Sequence, residues 1–296
     1  MIKKLLLLCL LLPVMASAQK TDKKLQQQIE ALVKDFKGDI GIYIHDLKHN
    51  KIVSINADTI FPTASIVKVS IMIGIMDKIE KGELQYHQPL IYKDSLLYAG
   101  EDILGSFKDG EKIEMSKVMM LMLTTSDNTA SLWLQSLAGG GKRINEIMDS
   151  LGFKYTRVNS RTPGREGNRT AYGWGQTTPR EIENLMERIV NRDILSVGAS
   201  EKMLRLMSRQ YWDEEAIGQV PPGIFIADKN GAVDASRSEI MYVNSNKNPY
   251  ILSVFTKNNV DTSWNKSNEA WVLTRKLSAL LWKYYNPKWK WTAVAE

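Results

Sequence analysis

The chain has 296 residues, 44% hydrophobic and 24% charged, an ordinary composition for a soluble protein and enough length for one large domain or two interleaved lobes. Its 39 basic and 33 acidic residues give a formal charge of +6, and the basic residues are scattered rather than blocked, so nucleic acid binding has no support. Cys9 is the single cysteine and lies in the leader described next, which excludes disulfides and thiolate catalysis from a processed chain.

Residues 1–18 read as a secretory signal peptide: Lys3 and Lys4, an apolar run from Leu5 to Val14, then Ala16-Ser17-Ala18 before Gln19. The run is too short to span a bilayer. The expected product is a secreted or periplasmic chain, 19–296, without stable membrane insertion. An amphipathic helix is expected over Thr21–Lys37, from the spacing of Leu25, Ile29, Leu32, Val33 and Phe36. Two β-rich runs follow, Ile40–His45 and Lys51–Ile55, joined by a turn-prone segment as in an antiparallel hairpin.

Next comes Phe61-Pro62-Thr63-Ala64-Ser65-Ile66-Val67-Lys68, where Pro62 disfavours helix at Phe61 and apolar positions then recur at helical spacing until Gly82. Ser65 and Lys68 fall one turn apart on one face of that helix. The pair alone is weak, since Ser263-Trp264-Asn265-Lys266 repeats the pattern. Helices are expected over Ser116–Thr124, Asn128–Leu137 and Arg143–Leu151, followed by a loop without periodicity over Val158–Thr177. Thr178-Pro179-Arg180-Glu181 opens a capped helix to about Asn191, and another is expected near Ser200–Ser208. Three strands then read at Ile224–Asp228, Ser238–Asn244 and Tyr250–Thr256, and a last helix at Asn268–Tyr285.

This order predicts an α/β (α+β) fold. A five-stranded antiparallel sheet is flanked by the N- and C-terminal helices, with an all-helical lobe inserted. The expected division is an α/β lobe of 19–60 and 220–296 and a helical lobe of 61–219, with the site in the cleft between them.

Three polar motifs fall in order: Ser65-x-x-Lys68 at a helix start, Ser126-Asp127-Asn128 between two helices, and Lys229-Asn230-Gly231 at a strand end. With these motifs the chain resembles the class A β-lactamase and penicillin-binding serine hydrolase superfamily, whose set is S-x-x-K, S-D-N and K-T-G. The resemblance implies a β-lactamase/DD-peptidase-like fold and a serine hydrolase that opens the β-lactam amide through an acyl-enzyme on Ser65. Alternatives on the same scaffold are a D-Ala-D-Ala peptidase or esterase, or a sensor that binds β-lactam or peptidoglycan without turnover. By the same resemblance Lys68 accepts the serine proton and Ser126 relays it. Asn128, Lys229, Asn230, Gly231 and Arg237 contact the substrate, and the backbone N–H groups of Ser65 and Ala232 form the oxyanion hole. The partner is a small molecule, a β-lactam or a D-Ala-D-Ala-like peptide; no cofactor or metal is implied and a monomer is expected. The three histidines, His45, His49 and His87, lie on a strand, a turn and a loop without ligand spacing, so a zinc site or a Ser-His-Asp triad has little basis.

Two departures stand out. Asn230 replaces the hydroxyl residue of the third motif, exchanging a hydroxyl for an amide of different reach. Class A β-lactamases open an E-x-x-L-N pattern in the long loop with the glutamate that positions the hydrolytic water. Here the loop offers only Glu166, followed by Gly167-Asn168-Arg169, as a candidate for that catalytic role.

Overall fold

The computed structural model describes residues 19–98, 102–245 and 247–293; the expected signal peptide, residues 1–18, lies outside them. A two-residue strand β1 (Lys20–Thr21) precedes α1 (Lys23–Val33), whose first turn is capped by the Asp22 carboxylate accepting from Leu25 N–H. The hairpin follows as β2 (Asp39–Asp46) and β3 (Lys51–Ile55). After β4 (Phe61–Pro62), a single 3-10 turn at Ala64–Ile66 runs into α2 (Val67–Glu80). A small hairpin of β5 (Pro89–Ile91) and β6 (Lys112–Glu114) leads to α3 (Met115–Thr124), α4 (Asn128–Leu137) and α5 (Gly140–Ser150).

The region expected to be a plain loop holds β7 (Arg157–Val158), a short helix α6 (Glu166–Tyr172) and β8 (Gly175–Thr177). The segment lacks a buried apolar stripe, and none of α6 is buried, so no periodicity announced it. Then come α7 (Pro179–Val190), with the Thr178 hydroxyl capping Glu181 N–H as its sequence promised, and α8 (Val197–Met207). The chain closes with β9 (Phe225–Val233), β10 (Ser236–Asn244), β11 (Tyr250–Lys257) and α9 (Glu269–Tyr285).

The main sheet has six strands in the order β1-β3-β2-β11-β10-β9, one more than expected. The extra member is β1, which lies parallel to β3 through Lys20↔Lys51 and Thr21↔Ile52; two exposed residues carry no hydrophobic alternation to read. All other neighbours in this sheet are antiparallel. One core lies where α1 and α9 cover the sheet, built from Leu25, Ile29, Ile42, Ile44, Leu277 and Leu281. The second surrounds α2, which is buried from Val67 to Asp77 on every side, as a helix apolar all round must be. Each fully buried Ile or Met there contributes about 1.5–3 kcal/mol relative to exposure, which makes α2 a rigid post for the residues at its start.

Candidate active site

Ser65 lies in the 3-10 turn at the head of that post. The entry is tied down from two directions. Phe61 and Pro62 pair with Thr177 and Gln176 of β8, Thr63 N–H donates to Gly175 O at 3.0 Å, and Ser238 of β10 donates to Thr63 O at 3.2 Å. Ala64, directly before Ser65, has φ of 44°, a left-handed conformation that a non-glycine residue holds only when its surroundings impose it.

Lys68 is fully buried one turn along, and its Nζ lies 3.0 Å from Ser65 Oγ, 2.6 Å from Ser126 O, 3.0 Å from Ser126 Oγ and 2.9 Å from Asn128 Oδ1. An ammonium has three protons for these four oxygens; a neutral amine has two protons and one lone pair able to take a hydroxyl proton. Burial first, and the nearby Lys229 charge second, hold Lys68 well below the ordinary lysine range, while Asp102 and Asp127 work the other way. No carboxylate oxygen is hydrogen-bonded to this amine among the described residues. The arrangement therefore favours the neutral base.

Ser126 reaches Lys68 because the break before α4 is tight: Ser126 has φ of 62°, and the Asp127 carboxylate caps α4 by accepting from Ala130 N–H at 2.7 Å. Asp102 adds a second cap, accepting from Asn128 N–H at 2.9 Å and Thr129 N–H at 2.7 Å. Two anions at the positive end of one helix hold Asn128 in place. With its Oδ1 engaged by Lys68, Asn128 presents its Nδ2 as donor.

The wall opposite is β9. Gly231 packs against the 3-10 turn so closely that an added Cβ would meet Thr63 O at 2.6 Å and Ser65 N at 2.8 Å. Lys229 is fully buried and donates to Asn230 O at 3.0 Å and Asn230 Oδ1 at 3.2 Å, so the amide that replaces a hydroxyl in the third motif is bound to its own neighbour. Burial brings Lys229 down to about 8 against the opposing charges of Asp228 and Glu239. Burial likewise brings Asp228 up to about 7.

A cavity of about 420 Å³ opens over this cluster, within the range of small-ligand sites. Ser65, Asn128 and Ala232 line it together. Lys68 and Lys229 lie buried behind that lining.

Two candidate residues fall elsewhere. Arg237 is buried between Trp264 and Trp271, its guanidinium 4.5 and 4.6 Å from the ring centroids. It donates to the carbonyls of Val233, Asp234, Ser236 and Ser263 and is not among the residues lining the cavity. Through these contacts the cation clamps the β9–β10 turn. Glu166 is exposed at the start of α6, accepts from Gly164 N–H at 3.0 Å, and is likewise absent from the lining. The loop instead contributes Ala171, Tyr172, Gly173 and Trp174, with Trp174 edge-on to Tyr98 at 5.1 Å across the mouth. No residue of the described lining carries a carboxylate.

The aromatic mouth, Asp102, and Lys257 with Asn258 at the end of β11 escaped the sequence reading. Lys257 Nζ donates to Ile60 O and sits 4.9 Å over the Phe61 ring, so its placement depends on a contact 197 residues away in the chain. Only its position at a strand end beside the cleft could have pointed to it.

A buried lysine held between two half-buried serine hydroxyls, where helices meet an antiparallel sheet, defines a serine-hydrolase type of architecture. The chain belongs to the beta-lactamase enzyme family, whose model matches residues 24–285, and its fold is of the class A type. Among curated relatives, the beta-lactamase CARB-3 of Pseudomonas aeruginosa is 24% identical over 258 residues, covering 86% of this chain and 89% of the relative. Beta-lactamase VEB-1 of the same organism is 23% identical, covering 95% and 96%. Among solved structures, a mutant of PBP-A in an acyl-enzyme complex with penicillin G superposes with a TM-score of 0.80 at 24% identity, covering 91% of this chain and 98% of that one.

Proposed function

We propose that this protein is an exported, monomeric serine hydrolase in which Ser65 opens the β-lactam amide and carries the acyl group. The domain is read as residues 19–296, with the catalytic cleft between the sheet lobe (19–60 and 220–296) and the helical lobe (61–219). One observation carries the proposal: a buried, carboxylate-free Lys68 amine 3.0 Å from both the Ser65 and Ser126 hydroxyls. Neutral Lys68 takes the Ser65 proton as Oγ attacks the carbonyl carbon. The N–H groups of Ser65 and Ala232 stabilise the developing oxyanion. Ser126 passes a proton to the departing nitrogen and is reprotonated from Lys68, so the base ends neutral and the acyl group rests on Ser65. Asn128 Nδ2 donates to the substrate amide carbonyl, and the Lys229 charge favours a substrate carboxylate on the Asn230 side of the cleft.

Release of the acyl group needs an activated water. Glu166, the one carboxylate of the long loop, is exposed and accepts from Gly164 N–H, which supports slow hydrolysis and a long-lived acyl-enzyme. This favours a penicillin-binding behaviour, with covalent capture outpacing turnover, over rapid antibiotic destruction. A chromogenic cephalosporin assay run alongside intact-mass spectrometry tests it. The expected result is stoichiometric mass gain on wild-type chain, absent in Ser65→Ala, with turnover slower than adduct formation. Absence of any adduct on the wild-type chain rejects Ser65 as the nucleophile for β-lactams.

A further inference from the structure

Away from the cleft, β2 and α7 bring together three metal-ligating side chains that the catalytic scheme does not use. His45 Nδ1 lies 3.0 Å from Glu183 Oε1 and 3.6 Å from Glu187 Oε2, and the three ligand atoms lie within 4.8 Å of one another. The histidine comes from the sheet and the two glutamates from one face of α7, four residues apart. We propose that His45, Glu183 and Glu187 form a zinc site that fastens α7 to the central sheet.

The geometry suits that ion. Atoms bound to tetrahedral zinc at about 2.0–2.1 Å stand about 3.3 Å apart, and the 3.0 and 3.6 Å separations from His45 Nδ1 bracket that value. His45 Nε2 lies 3.0 Å from Asn50 Oδ1, which can accept its N–H; this orients the ring and leaves Nδ1 as the ligating nitrogen. His45 and Glu183 are buried, whereas the Glu187 side chain is 24% exposed, which gives the ion an entry and a water as fourth ligand. The nearby cation, Arg180, is taken up by a two-pronged pair with Asp58 at 2.7 and 2.9 Å.

Charge gives a reason for the ion. As an imidazole and two carboxylates, the three ligating groups carry two negative charges, which a divalent cation matches. When a divalent cation binds, the Nδ1 proton leaves to solvent and the neutral imidazole, two carboxylates and Zn²⁺ sum to zero. The same three ligands are invisible to a scan for local spacing, because His45 and Glu183 are 138 residues apart.

The test is a titration of the tag-free, EDTA-stripped chain with ZnCl₂ by calorimetry, paired with thermal unfolding. One equivalent should bind, and zinc at a hundredfold over Kd should raise Tm by about 5–10 °C. Glu187→Gln, chosen because that side chain reaches solvent, should weaken binding at least tenfold while its metal-free Tm stays near that of the wild type. His49→Ala and His87→Ala should bind as the wild type does. Absence of saturable zinc binding overturns the proposal, as does binding that survives Glu187→Gln or disappears with His49 or His87.

Discussion

Gly231 touches the backbone of Ser65: a Cβ at that position would stand 2.8 Å from Ser65 N. The strand edge and the 3-10 turn are thus fitted to each other without room for a methyl group. Gly231→Ala must push the turn away, at a cost of about 1–3 kcal/mol in stability. Because the displaced atom is one of the two proposed oxyanion donors, acylation should slow at least tenfold. Stopped-flow acylation rates and urea unfolding read the two effects separately, and an unchanged acylation rate would remove Ser65 N–H from the oxyanion hole.

Burial and, next, the Lys229 charge hold the Lys68 amine well below the ordinary lysine range. Acylation should therefore rise with pH through the folded-state pKa of Lys68 and then level off. Removing the Lys229 charge takes away a repulsion that disfavours the protonated amine, so Lys229→Ala should move this acidic limb to higher pH. Rates of adduct formation between pH 5 and 9 give the answer; a limb that moves to lower pH contradicts the assignment.

Glu166 faces solvent and bonds to Gly164 N–H. Glu166→Gln should leave the lifetime of the acyl-enzyme unchanged within about twofold, since water activation by a well-placed base supplies about 10²–10⁴. A lifetime lengthened tenfold or more in intact-mass time courses would restore it as the deacylating base.

Arg237 bonds four backbone carbonyls and lies between two indoles. Arg237→Ala should cost about 2–4 kcal/mol, from lost charged hydrogen bonds and cation–π contacts. Arg237→Lys should recover little, because a point charge cannot reach carbonyls in several directions at once. Chemical unfolding of both variants decides; full rescue by lysine would mean that charge alone is what the site needs.

Local signals carried far along this chain. The apolar spacing after Pro62 located α2, the Thr178-Pro179-Arg180-Glu181 cap located the start of α7, and the change of period in the final third located β10 and β11 to within a residue or two. The ordered Ser65, Ser126 and Lys229 motifs marked residues that now surround one buried amine or the strand beside it. Where the sequence reading fell short, the missing information was non-local. The β1 pairing involves two exposed residues, and α6 has no buried face. The position of Arg237 depends on Trp264 and Trp271, more than twenty residues downstream in the chain.

By itself, then, the sequence determined the element order, the nucleophile and base candidates and the family they resemble, because each rests on periodicity, capping or spacing within one turn or strand. Tertiary structure alone decided that Lys68 is buried beside another cation, that Arg237 is a clamp on a turn, that Glu166 is exposed and bonded to Gly164 N–H, and that His45 meets Glu183 and Glu187. Those outcomes depend on desolvation and on contacts between distant segments, and both arise only once the chain is folded.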